Sequence, residues 1–297
     1  MVKALQYLYL SSIIGYLYIL GISSVLLAYY CSPLNGLLKY GKTLVGSDKP
    51  SNNKSWFQYF ESIYIPKSTF CHFYVISLVL STISLLFTIT TSVEDWNFLS
   101  WITPFLVSPT IEPISYNQLE IIMLMNIIQA LRRCYECYCI SNFSPKSKIH
   151  ISHYFAGLFF YTAINIQPVL LYLPNKGTDH EMTKLGGAFL ISALLFLTAS
   201  VDQFMNHKHL SQLKKYTQPS YGLFKYVSCP HYFDEIVIYF AHLIILRNWY
   251  GILEFIWVVC NLCVSADGTY RYYTSEKQGV VAKDNMARYY RIIPFVY

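Results

Sequence analysis

The stretch Tyr221-Gly-Leu-Phe-Lys-Tyr-Val-Ser-Cys-Pro-His-Tyr-Phe-Asp-Glu-Ile236 sets a turn, a histidine and a glutamate just before an apolar run that continues to Leu246. Pro230 suits the first position of a helix, where its missing N–H costs nothing and its fixed φ is already helical. On a helix starting there, His231 and Glu235 lie four residues apart and share one face. Two titratable groups at the mouth of an apolar helix mark a place where polar chemistry meets lipid.

Working outward, apolar runs of helical length recur along the chain. Hydrophobic residues make up 54% of it and charged residues 13%, which excludes an ordinary soluble domain and points to a polytopic α-helical membrane protein. Runs at about 4–30, 70–91, 117–140, 152–173, 185–205, 233–247 and 249–266 come close to the roughly 20 residues a bilayer requires. The sixth is short, and it forms either a separate span or one arm of a bent hairpin with the seventh. The run from Trp96 to Val107, interrupted by Pro104 and closed by Pro109, reads as interfacial or re-entrant. The first run exceeds the core of a cleavable signal and reads as a retained span. Cys134-x-x-Cys137 and Cys260-x-x-Cys263 sit on predicted spans without a second pair, so they read as small buried hydrophobes rather than metal ligands.

Loop charge alternates. Lys39, Lys42, Lys49, Lys54 and Lys67 follow the first span, and Lys208, Lys214, Lys215 and Lys225 follow the fifth. The loop after the second span has no lysine or arginine. The positive-inside rule puts the odd-numbered loops and the C-terminus in the cytosol and the N-terminus outside. No internal repeat or soluble domain interrupts the pattern, so residues 1–297 form a single membrane domain.

Several constellations suggest chemistry. Gln129, Arg132, Arg133 and Glu136 fall at i, i+3, i+4 and i+7, a polar stripe on an otherwise apolar third helix. An arginine at mid-bilayer costs about 2.5–3.5 kcal/mol on insertion scales. Two of them therefore imply a partner, a wet cavity or a place near the membrane face, where one pairs with Glu136. Gln203 and His207 lie one turn apart at the end of the fifth span. In Leu38-Lys-Tyr-Gly-Lys-Thr43, Gly41 lets backbone approach an anion and Lys42 supplies a compact charge; alternatively Lys42 only sets topology. Glu61, beyond Trp56-Phe, is either a carboxyl kept protonated by an apolar pocket or a solvated acid balancing Lys54 or Lys67. No G-x-G-x-x-G or P-loop is present, so any nucleotide must bind between helices.

Taken together, these motifs resemble the steroid 5α-reductase family, and most closely its polyprenol (polyprenal) reductase branch. Its signature reads aromatic-x-Tyr-Val-Ser-x-x-(Asn/His)-(Tyr/Phe)-x-x-Glu, matched here by Phe224 to Glu235 with His at 231. Arg291-Ile-Ile-Pro-Phe-Val-Tyr297 resembles the family ending. The resemblance implies NADPH as cofactor, contacted by Tyr40, Lys42, Gln203, His207, Tyr216, His231, Glu235 and Tyr273. It further implies Glu61, Arg133 and Glu235 in catalysis and Trp56, Gln129 and Arg132 at the lipid. Two departures stand out: Ala130 occupies the position of the catalytic tyrosine of steroid-acting members, and the region Gly268-Thr-Tyr-Arg-Tyr-Tyr273 lacks the family histidine, leaving Tyr270 or Tyr273 for the tyrosine role.

The expected architecture is thus all-α, with about seven transmembrane helices enclosing a cofactor and lipid pocket. The expected reaction is NADPH-dependent reduction of the α-double bond of a polyprenal in the endoplasmic reticulum membrane, on the route to dolichol and protein N-glycosylation. The expected partners are a polyprenoid lipid and the bilayer, and no nucleic acid. A steroid or other lipid enone reductase, and a transporter or scaffold without catalysis, are the alternatives.

Overall fold

A computed structural model describes residues 9–38, 62–90, 103–144, 147–175, 186–214, 217–274, 289–293 and 295–297. Tyr40, Lys42, Trp56, Glu61 and Tyr216 lie outside the described residues. The helices are α1 Leu10–Tyr30, α2 Phe70–Thr90, α3 Thr103–Leu106, α4 Tyr116–Tyr135, α5 Ile151–Tyr172, α6 Gly186–Gln212, α7 Pro230–Leu246 and α8 Trp249–Thr274. Five segments, 10–30, 67–90, 151–175, 186–212 and 249–274, are long and apolar enough to cross a membrane. The chain is a polytopic all-α membrane protein. α4 falls short of that apolarity through Glu120, Arg132 and Arg133, and α7 is 17 residues long.

Two expected boundaries move. α6 runs to Gln212 rather than 205, and α8 to Thr274 rather than 266. Both extensions carry polar residues with partners inside the protein, so loss of apolarity there does not end the helix. The sixth and seventh runs form a tight hairpin. Arg247 adopts the left-handed conformation (φ 49°) after α7, and Asn248 Oδ1 accepts from Gly251 N at 3.0 Å to start α8. Near the run read as interfacial, the described residues hold only the four-residue α3.

Extended β1 Tyr64–Pro66 pairs antiparallel with β2 Lys148–His150, tying the segment before α2 to the one before α5. Between helices, small and amide side chains make the contacts. Asn126 of α4 donates to Asn165 Oδ1 of α5 at 3.1 Å, and Asn165 Nδ2 donates to Ser77 Oγ of α2 at 3.0 Å. In a bilayer, apolar faces gain nothing by leaving lipid, so such hydrogen bonds fix which faces meet. Aromatic rings fill the centre: Phe160 stacks on Trp257 at 6.2 Å, and Tyr18 meets Trp257 edge-on at 5.8 Å.

Beyond the bundle, the two stretches recognised in sequence are joined. Val227 and Tyr290 form a parallel bridge, with Tyr290 N donating to Tyr226 O at 2.7 Å and Ser228 N to Tyr290 O at 2.9 Å. Cys229 N then donates to Arg291 O at 3.1 Å. Arg291 Nε binds Asp267 Oδ1 of α8 at 2.6 Å, while Asp267 Oδ2 accepts from Tyr29 of α1 at 3.0 Å. The C-terminal ending therefore clamps the loop that launches α7.

Candidate active site

The site grows from α4. Its fourth turn onward carries the polar stripe, and after Tyr135 the backbone widens into a single π-helical turn, Glu136–Ile140, a deformation that recurs at functional positions. Glu136 is fully buried, and both Arg132 and Arg133 donate to its carboxylate. Rather than snorkelling apart, the arginines converge on one acid.

Arg132 also organises what lies beyond. Its Nη2 donates to Gln129 Oε1 at 2.7 Å and to Gln203 Oε1. A guanidinium only donates, so each amide must face it with oxygen and turn its NH2 away. Both NH2 groups then meet Glu235: Gln129 Nε2 at 3.4 Å from each carboxylate oxygen, and Gln203 Nε2 on Oε2. Gln203 Nε2 also donates to His231 O at 2.9 Å, locking the first turn of α7 to α6. The backbone carbonyl of His231 and the side chain of Glu235 thus meet on one partner. Two guanidinium charges stand against the carboxylates of Glu136 and Glu235, so the cluster is balanced when His207 is neutral.

Arg133 faces the other way. Its Nη2 donates to Tyr74 OH at 2.7 Å, and its Cζ lies 4.7 Å from the centre of that ring. His207 Nδ1 is 2.7 Å from both Glu136 Oε2 and Arg133 Nη1, so its tautomer decides which of the two it bonds.

Two spaces flank this cluster. A cavity of about 570 Å3 is lined by Lys67, Arg133, His207, Lys214, His231 and Tyr273, together with serine and threonine hydroxyls from the ends of α4, α6 and α8. Among the described residues its lining contains two lysines, an arginine and two histidines but no carboxylate. Such a donor-rich wall suits a polyanion, and the volume falls within the roughly 300–1,000 Å3 of small-molecule sites. It lies among the segments after α1, α4 and α6 and the end of α8, the lysine-rich side of the sequence. A second, smaller groove of about 210 Å3 is walled by Phe73, Gly157, Phe160, Trp257 and Leu262, with Tyr74, Tyr161, Tyr239 and Glu235 among its polar members. Cavity and groove share Phe70 and Ser265.

The family described as 3-oxo-5-alpha-steroid 4-dehydrogenase matches residues 147–297, just over half of the chain. This chain belongs to that family. Polyprenal reductase of Saccharomyces cerevisiae is 32% identical over 283 residues, 94% of this chain and 92% of its own. Polyprenal reductase of Xenopus tropicalis is 32% identical over 255 residues, 79% of this chain and 78% of its own. Polyprenal reductase 1 of Oryza sativa subsp. indica is 26% identical over 322 residues, 89% and 88% respectively. The family match includes α5 to α8 and the ending, whereas the α4 stripe lies before it and is reached by the longer matches.

Of the residues singled out in sequence, Gln129, Arg132, Arg133, Gln203, His207, His231 and Glu235 form one contiguous network, and Tyr273 lines the cavity. Sequence reading did not single out Tyr74, Tyr161 or Tyr239. A tyrosine one turn above Cys71 on a predicted span has no local signal that separates it from 27 others among the chain's 28 tyrosines.

Proposed function

We propose that this protein is a membrane reductase that saturates the α-double bond of a long-chain polyprenal, using NADPH, on the route to dolichol. The observation that carries this reading is a donor-lined cavity that adjoins an aromatic groove along Phe70 and Ser265, with Arg133 on the wall of the first and Glu235 on the wall of the second. A phosphate-bearing cofactor fits the first and the head of an apolar chain fits the second. At about 210 Å3 the groove is too small for a whole long-chain lipid. It suits a reactive end whose tail remains in the bilayer. The names of the relatives support the same substrate.

Within this reading, Lys67, Lys214 and Arg133 offset phosphate charge, together with Tyr40, Lys42 and Tyr216 from outside the described residues. His231 and Tyr273 wall the cavity, with His207 beside Arg133. Glu235, held by two glutamine amides, would accept from the amide of the nicotinamide ring. When bound, the reduced nicotinamide supplies hydride to the β-carbon of the enal. An isolated or allylic-alcohol double bond has no electron sink, whereas an aldehyde conjugated to it places the developing charge on oxygen. The substrate is therefore the aldehyde. Ala130, 1% exposed, presents no polar group where steroid-acting relatives of this family are expected to carry a tyrosine. Gln129 and Arg132 set the amide geometry beside the substrate, and the resemblance assigns Trp56 to the lipid and Glu61 to catalysis. The positive-inside pattern supports a multi-pass protein with its N-terminus lumenal and C-terminus cytosolic and the cavity open to cytosolic NADPH, and the polyprenal reading fits the endoplasmic reticulum membrane.

The test is purified protein in lipid vesicles with NADPH and polyprenal, followed by loss of nicotinamide absorbance. Oxidation that requires polyprenal supports the reading. No oxidation, or oxidation equally fast with polyprenol, contradicts it.

A further inference from the structure

Hydride addition to an enal drives negative charge onto the carbonyl oxygen, and that oxygen needs a hydrogen-bond donor placed in advance. The groove offers three phenols. Tyr161 and Tyr239 line it with no guanidinium bonded to either among the described residues. Tyr74 differs in being bonded to a cation: its oxygen accepts from the Arg133 guanidinium at 2.7 Å, which leaves its hydroxyl hydrogen to donate elsewhere. It is 6% exposed, and its ring is fixed edge-on against Tyr161 at 5.2 Å and beneath Arg133. A phenol whose oxygen already accepts from a cation is polarised toward giving up its hydrogen, and its donated bond is strengthened accordingly. The same guanidinium places a positive charge behind the oxygen that becomes negative. Glu235 stands on the same groove as an acceptor and is unsuited to that oxygen when ionised.

We propose that Tyr74 is a catalytic residue that donates a hydrogen bond to the substrate carbonyl oxygen, with Arg133 as its positioning residue. This rests on the enal reading above. Hydride forms the new C–H bond at the β-carbon, and the π electrons shift to give an enolate whose oxygen is held by Tyr74. The α-carbon then takes a proton from water, restoring the C=O bond and leaving the saturated aldehyde. Tyr74 ends the cycle with its proton still in place.

Tyr74→Phe keeps the ring over which Arg133 stacks and removes only the hydroxyl. Wild type and variant, purified and shown to melt alike, are compared in vesicles for turnover of polyprenal. They are also compared by Raman spectroscopy of an enal bound beside oxidised cofactor. Loss of one oxyanion donor lowers kcat by about 100-fold or more. The expected result is that fall, an unchanged KM for NADPH, and a carbonyl stretch that moves up toward its value in free solution. A variant with wild-type turnover overturns the assignment. So does a variant whose turnover falls while the bound carbonyl stretch stays at the wild-type frequency, since that outcome marks a purely structural role. Failure of wild type itself to reduce polyprenal removes the substrate reading instead, and is told apart because it needs no variant.

Discussion

Arg132 is the residue whose replacement separates stability from site geometry. It makes three charge-assisted bonds, to Glu136, Gln129 and Gln203, from a side chain 13% exposed. Taken singly such bonds contribute about 1.5–3 kcal/mol each, but they are not additive here because Arg133 still neutralises Glu136. Removing one partner of a buried pair costs about 3–5 kcal/mol, and Arg132→Met should fall at or below that range. Arg132→Lys isolates the other effect. A lysine keeps the charge on Glu136 but lacks the planar fork whose two nitrogens reach Glu136 and the pair of amides from separate positions. Each glutamine is then free to flip. If both orientations become equal at both residues, about one arrangement in four presents both NH2 groups to Glu235. On a scale where tenfold is about 1.36 kcal/mol, that is about 0.8 kcal/mol. Arg132→Lys should therefore melt close to wild type and bind NADPH about fourfold more weakly in a fluorescence titration. Wild-type affinity in Arg132→Lys would refute the idea that Arg132 orients the glutamines.

Two further outcomes follow from packing. A Cβ built on Gly157 would come within 2.5 Å of the Phe73 ring, so Gly157→Ala should push that ring into the groove. It should raise the KM for polyprenal several-fold while leaving NADPH affinity unchanged, as separate titrations would read. Arg291→Ala removes the bond to Asp267 and the cover over Tyr270, whose ring centre is 4.7 Å from Cζ. The signature loop should loosen, seen as faster hydrogen exchange at Ser228 and Cys229, whose amides bond to residues 290 and 291.

Much of this architecture was legible because helices in lipid announce themselves as apolar runs. The α4 stripe was legible because four polar side chains at helical spacing cannot be scattered by chance around one face. Pro230 marked the start of α7 through its own covalent geometry. What stayed hidden depends on contacts distant in sequence. The last turns of α8 look like a polar tail until Asp267 is seen to bind Arg271, Arg291 and Tyr29. The pairing of Val227 with Tyr290 spans 63 residues and has no periodic signal. Tyr74 becomes distinctive only when Arg133 arrives from another helix. The buried pair of His242 and Glu254, 3.1 Å apart across the α7–α8 hairpin, was likewise invisible as two isolated polar residues.

The most direct test of the account follows the hydride itself. Purified protein in vesicles is given polyprenal and NADPH carrying deuterium at the transferable position of the nicotinamide, and the product is analysed by mass spectrometry with fragmentation. One deuterium at the β-carbon of a saturated aldehyde is the predicted result, with no label at the α-carbon and no turnover of polyprenol. Deuterium at the carbonyl carbon, or label entering polyprenol as readily, would contradict it.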